Sequence, residues 1–186
     1  MKKFLVVLGI LLVAGSMMAE IHSWNSGFVK FKVSERFSLG GNGELRLQGS
    51  DYYYGHFHFD LNYALNKYMT VGVSERESYL ISKEQVEHKP MLNVTLHNSW
   101  LSNRARVTWR IKEGEDVLRF RNKTTVTIKP VYAAYELFVE GGKEGIYRNR
   151  MYLGASIAPA LSVFVMRQTT LGESIWVVGT VWKVSL

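Results

Sequence analysis

Between Arg104 and Lys112 the chain alternates without a break: Arg104, Arg106, Thr108, Arg110 and Lys112 interleave with Ala105, Val107, Trp109 and Ile111. A two-residue period belongs to a β-strand with unlike faces, whereas a helix repeats its apolar stripe every three or four residues. The next segment repeats the pattern, with Arg119, Arg121, Lys123, Thr125 and Thr127 set against Leu118, Phe120, Val126 and Ile128. Glu113-Gly114-Glu115-Asp116 lies between the two and predicts a hairpin turn. In Tyr52 to Leu65, His56, His58, Asp60 and Asn62 again oppose Phe57, Phe59, Leu61 and Tyr63.

Further strands are expected over Phe37 to Gln48, Tyr68 to Tyr79, Met91 to Trp100, Val131 to Glu140, Ile146 to Ile157, Leu161 to Thr169 and Ser174 to Leu186. That makes ten, with Trp24 to Val33 as a possible eleventh. Brief connections at Asn66-Lys67, Ser102-Asn103, Lys129-Pro130 and Ala158-Pro159 alternate with mostly longer ones at Gly49 to Asp51, Ser82 to His88, Gly141 to Gly145 and Thr170 to Glu173. This asymmetry is that of a membrane barrel with short periplasmic turns and longer outer loops. Bacterial single-chain barrels close with even strand numbers, so ten wall strands are expected, with Trp24 to Val33 lying against the lumen or rim. Twelve is the next choice, if Gly40-Gly41-Asn42-Gly43 is itself a hairpin turn.

The N-terminus has a different character. Lys2 and Lys3 precede an apolar stretch from Phe4 to Val13 and the small or flexible residues up to Ala19. That is the layout of a cleavable secretory signal, too short for a helix of ~18 or more apolar residues that would span a bilayer. Residues 1–19 are therefore expected to be a signal peptide, and 20–186 a single barrel domain; cleavage after Ser16 is the alternative to cleavage after Ala19. Without the signal the chain keeps 21 basic and 16 acidic residues, a net charge of +5. It has no cysteine, which excludes disulfides, thiolate metal sites and cysteine nucleophiles.

Periodicity alone does not say which face lies inside. The polar faces collect many Arg and Lys with Glu44, Asp60 and Glu136, while the opposite faces carry Phe57, Tyr63, Trp109, Phe120, Tyr135, Tyr147, Trp176 and Trp182. Large aromatics at strand ends suit the interfacial girdles of an outer-membrane barrel, which turns its polar face inward. A soluble periplasmic β-barrel carrier, with the opposite polarity, is the competing architecture. Counted back from the C-terminus, Leu186, Val184, Trp182, Thr180, Val178 and Trp176 alternate as in the terminal signature read by the barrel assembly machinery. Leu186 departs from it, since an aromatic residue is usual there. The expected partners are thus outer-membrane lipids and, through Trp176 to Leu186, that machinery.

Several short stretches in order along the chain resemble the domain of unknown function 2490 family. They are Trp24, Glu44-Leu45-Arg46, Asn62-Tyr63-Ala64-Leu65, Ser102-Asn103-Arg104-Ala105-Arg106 with Trp109-Arg110, and Arg119-Phe120-Arg121-Asn122. Tyr135-Glu136-Leu137-Phe138, Asn149-Arg150 with Gly154, and Met166 with Gln168 complete the set. The resemblance implies an outer-membrane barrel; it implies no activity.

The candidate lumen-lining residues are Glu44, Arg46, His56, His58, Asp60, Arg104, Arg106, Arg110, Arg119, Arg121, Glu136, Arg148 and Arg150. The alternation places Glu136 between strands bearing arginines, whose planar fork suits carboxylate pairing in a confined space. Either an ion-pair ladder fills the interior, or the excess of arginines forms a cationic constriction that favours anions. His56, His58 and Asp60 share a face, and successive same-face positions are roughly 6.6–7 Å apart, within reach of a metal ion or a hydrolase centre. No motif pairs a serine with these histidines, so no catalytic residue, metal or cofactor is expected; a lipid- or lipopolysaccharide-modifying enzyme is the alternative. Nucleic acid is not an expected partner despite a pI near 9.6, because the arginines alternate with apolar residues and no helix or basic tail presents them to a duplex.

Overall fold

The computed structural model describes residues 21–81, 84–112 and 115–186. The expected signal peptide lies outside these residues, as does the centre of the Glu113-Gly114 turn. Eleven strands follow one another: β1 (Ile21–Lys32), β2 (Phe37–Gln48), β3 (Asp51–Asn66), β4 (Met69–Leu80), β5 (Gln85–His97), β6 (Leu101–Lys112), β7 (Glu115–Ile128), β8 (Val131–Glu140), β9 (Arg148–Ala158), β10 (Leu161–Thr170) and β11 (Glu173–Ser185). Each pairs antiparallel with the next, and a parallel pairing of β1 with β11 closes the barrel. No helix long and apolar enough to cross a membrane occurs among the described residues.

The ten-strand expectation is corrected here. β1 is neither in the lumen nor at the rim: it is a wall strand, paired with β2 from His22↔Gln48 to Lys32↔Ser38 and with β11 from Ile21↔Trp176 to Lys30↔Ser185. A parallel ladder satisfies backbone groups as an antiparallel one does, so nothing in hydrogen bonding demands an even count. The twelve-strand alternative fails as well. Gly40 to Gly43 lie mid-strand in β2 and are paired on both sides, to β1 and to β3. A third difference is the β5–β6 connection, which turns at Asn98 to Trp100 instead of Ser102-Asn103. The Asn98 Oδ1 accepts the backbone N–H groups of Trp100 and Leu101 at 2.9 and 2.7 Å, an Asx turn.

The barrel is apolar outside and polar inside. Phe57, Phe59, Leu92 and Leu118 are each 60% exposed or more, whereas Glu136 and Ser78 have no exposed surface and Arg106 has 3%. One side of the interior is an exception: Trp24, Phe164, Met166 and Val177 form a buried apolar cluster flanked by Tyr132, Tyr152, Ile175 and Val181. Two inward glycines make room for it. A Cβ on Gly179 would overlap the Phe164 ring, and one on Gly154 would overlap Tyr132. Tyr147, expected on the outer face, is instead buried, at 2% exposure. It precedes β9, so strand parity does not govern it, and its ring folds inward against Phe138 with 6.4 Å between centroids.

Candidate functional site

All thirteen candidate residues turn their side chains to the interior or to its ion-pair lattice, because the register sets them on the same parity around β2, β3 and β6 to β9. Near the rim that carries the Gly141–Tyr147 loop, Glu140 accepts from Arg110 at 3.0 Å and from Arg119 Nε at 2.7 Å, and Lys143 lies 3.1 Å away. Glu87 bridges Arg110 at 2.6 Å and Lys89. Arg148 is anchored to Thr170 at 3.0 Å.

In the middle of the barrel Glu136 is the keystone. It receives Arg121, Arg150 at 3.4 Å and the Tyr152 hydroxyl at 2.9 Å. Arg150 also donates to Gln168 at 2.8 Å, so its guanidinium is held on two strands. Across the lumen, Glu44 pairs with Arg46 at 2.6 Å and sits 3.7 Å from His56. The Arg46 and Arg150 guanidinium groups stack on the Trp24 ring at 3.7 and 4.9 Å, a contact in which the ring face attracts the cation.

Three inward arginines make no such direct pair. Among the described residues no carboxylate lies within ion-pair distance of Arg76, Arg104 or Arg106. Arg106 donates to Asn93 at 2.5 Å. Arg76 donates to His58 Nδ1 at 3.1 Å, and its own Nε is buried with no partner. Arg76 was not among the sequence candidates. It faces inward because Val71 and Val73 set the outer parity of β4, and that parity was the available signal.

Within the His56–His58–Asp60 trio, both ring nitrogens of His58 are engaged. Arginine only donates, so His58 Nδ1 is an acceptor and its Nε2–H donates to Asp60 at 2.9 Å, which leaves no ring nitrogen for a nucleophile. Ser74 is bonded to Asp60 and Asn93, Ser78 to Tyr54, and His56 Nε2 to Asn42. No cluster of three or more potential metal ligands occurs among the described residues.

Three cavities follow one another along the interior, of about 540, 500 and 410 Å³ from the loop rim to the Val33–Arg36 rim. The first two share walls made by Arg46, Arg76, Arg106, Arg121 and Arg150; the last two share Phe28, Asp60, Arg104 and Arg106. Arg106 borders all three. The interior is therefore a series of chambers separated by guanidinium groups.

Comparison with known proteins bears on the fold and the family. A solved structure described as KdgM porin superposes with a TM-score of 0.63 at 14% identity, covering 82% of this chain and 87% of that one. At that identity the similarity is one of fold. No relative was found among curated protein sequences. The family model described as "Protein of unknown function (DUF2490)" matches residues 21–170, which is most of the chain and nearly all of the barrel. A model that covers this much of the chain settles its kinship: the chain is a member of the DUF2490 family.

Proposed function

We propose that this chain is an integral outer-membrane barrel, exported by the signal at residues 1–19, that passes small anions through its narrow lumen without chemical change. The observation that carries this reading is Arg106, common to all three chambers and, like Arg76 and Arg104, without a carboxylate partner. Membrane insertion is supported by the inverted polarity of the wall: large apolar side chains in water would expose far more hydrophobic surface than a soluble monomer carries. It is supported too by length, since a twelve-residue strand is about 40 Å long and, tilted by roughly 40°, spans about 30 Å of hydrocarbon. The porin name of the structural neighbour is in keeping with a solute pathway. The alternating outer face of Trp176 to Leu186 would serve recognition by the assembly machinery, with lipids as the other partner.

The test is conductance of refolded protein in planar bilayers. The wild type is expected to conduct with anion preference, and Arg106→Glu to lower that preference while keeping the heat-modifiable gel migration of a folded barrel. Well-folded protein that conducts nothing would sink the proposal.

A further inference from the structure

The two sides of the middle chamber differ in kind. One wall, built by β4 and β6, presents Arg76, Arg104 and Arg106; the other, built by β1, β8 and β11, presents Phe28, Tyr132 and Val181, backed by the buried Trp24–Phe164 cluster. None of these three guanidinium groups has a carboxylate within ion-pair distance among the described residues, although Glu44 and Asp60 line the same chamber, and the Arg76 Nε is buried with no acceptor. A small inorganic ion would satisfy these donors yet leave the aromatic wall wetted. A neutral apolar molecule would cover that wall but strip water from cations with nothing in return. At about 500 Å³ the chamber is within the roughly 300–1,000 Å³ range of small-molecule sites, which combine apolar lining with a few convergent polar groups.

We infer that the middle chamber is a binding site for small amphipathic carboxylates: an anionic head held by Arg76, Arg104 and Arg106, and a ring-sized apolar body laid against Phe28, Tyr132 and Val181. This rests on the reading of the lumen as an anion pathway and adds to it a preference among anions. Arg is suited to the head because its fork matches both carboxylate oxygens. Half-buried aromatic side chains are suited to the body because they offer rigid apolar area with little rotamer freedom to lose.

The test is titration calorimetry on the detergent-folded barrel with three probes: benzoate, acetate (the same head without the body) and benzamide (the same body without the charge). Benzoate is expected to bind about tenfold or more tighter than either. Phe28→Ser should bring benzoate down to the level of acetate and leave acetate unchanged, whereas Arg104→Gln should weaken both carboxylates alike. Each variant is checked for heat-modifiable migration before titration. Equal binding of benzoate and acetate, equal binding of benzoate and benzamide, or no binding by a barrel that conducts anions would each overturn the inference while leaving the pore reading intact. Loss of the pore reading has its own signature, the absence of anion selectivity in bilayers.

Discussion

At the scale of single residues, Glu136 shows how a crowded cationic interior is held together. It has no exposed surface and collects Arg121, Arg150 and Tyr152 from two neighbouring strands. Removing one member of a buried ion cluster leaves the others desolvated and uncompensated, a change that costs about 3–5 kcal/mol. Glu136→Ala is therefore expected to lower the denaturant midpoint of the folded barrel sharply; an unchanged midpoint would show that water already screens this cluster. Glu136 and its flanking arginines were legible in the sequence because β7, β8 and β9 alternate cleanly. Arg76 was not, because Glu75 and Glu77 on either side of it erase the contrast between faces from which parity is read. Tyr147 was misplaced for a related reason: it stands one residue before β9, where alternation no longer dictates direction.

At the scale of elements, strands were more legible than their joints. The hairpin positions at Gly49-Ser50, Lys67, Lys129-Pro130 and Pro159 follow from turn residues, but the β5–β6 turn depends on one side chain, Asn98, accepting two backbone bonds. The β10–β11 connection is a tight Leu171-Gly172 pair with φ of 49° and 93°. Both values are positive, as in the type I′ turns that match strand twist, where Asn-Gly is the favoured pair. Leucine there holds a left-handed backbone at a cost of about 1–2 kcal/mol, with an exposed side chain that packs little in return. Leu171→Asn is expected to stabilise the barrel by about 1 kcal/mol, seen as a higher midpoint in urea. A lower midpoint would mean that the leucine side chain is anchored in the bilayer interface.

At the scale of the whole molecule, the odd strand count puts the start of β1 and the end of β11 on opposite rims. Ile21 shares its rim with Gly49-Ser50, Gly141–Tyr147 and Leu171-Gly172, whereas Leu186 shares the opposite rim with Val33–Arg36, Lys67 and Pro130. On the proposed outer-membrane reading, with the C-terminal rim in the periplasm, Ile21 would face the cell exterior. The chain has no cysteine of its own, so single replacements report cleanly. A membrane-impermeant maleimide on intact cells is expected to label Ile21→Cys and Ser50→Cys, and to label Lys67→Cys only after the outer membrane is opened. Labelling of Ile21→Cys and Lys67→Cys on the same side would contradict this topology.

The parallel seam between β1 and β11 also bears on the size of the barrel. β2 and β11 run in opposite directions, so a chain relieved of β1 presents two free edges with the polarity needed to pair antiparallel. Ten staves could then close as eleven do, around a smaller circumference and without Trp24, the ring on which Arg46 and Arg150 rest. The first strand is in this sense a gauge: with it in the wall the barrel is about a tenth wider than ten strands would make it, and the added stave carries the aromatic seat of two of the lumen's arginines.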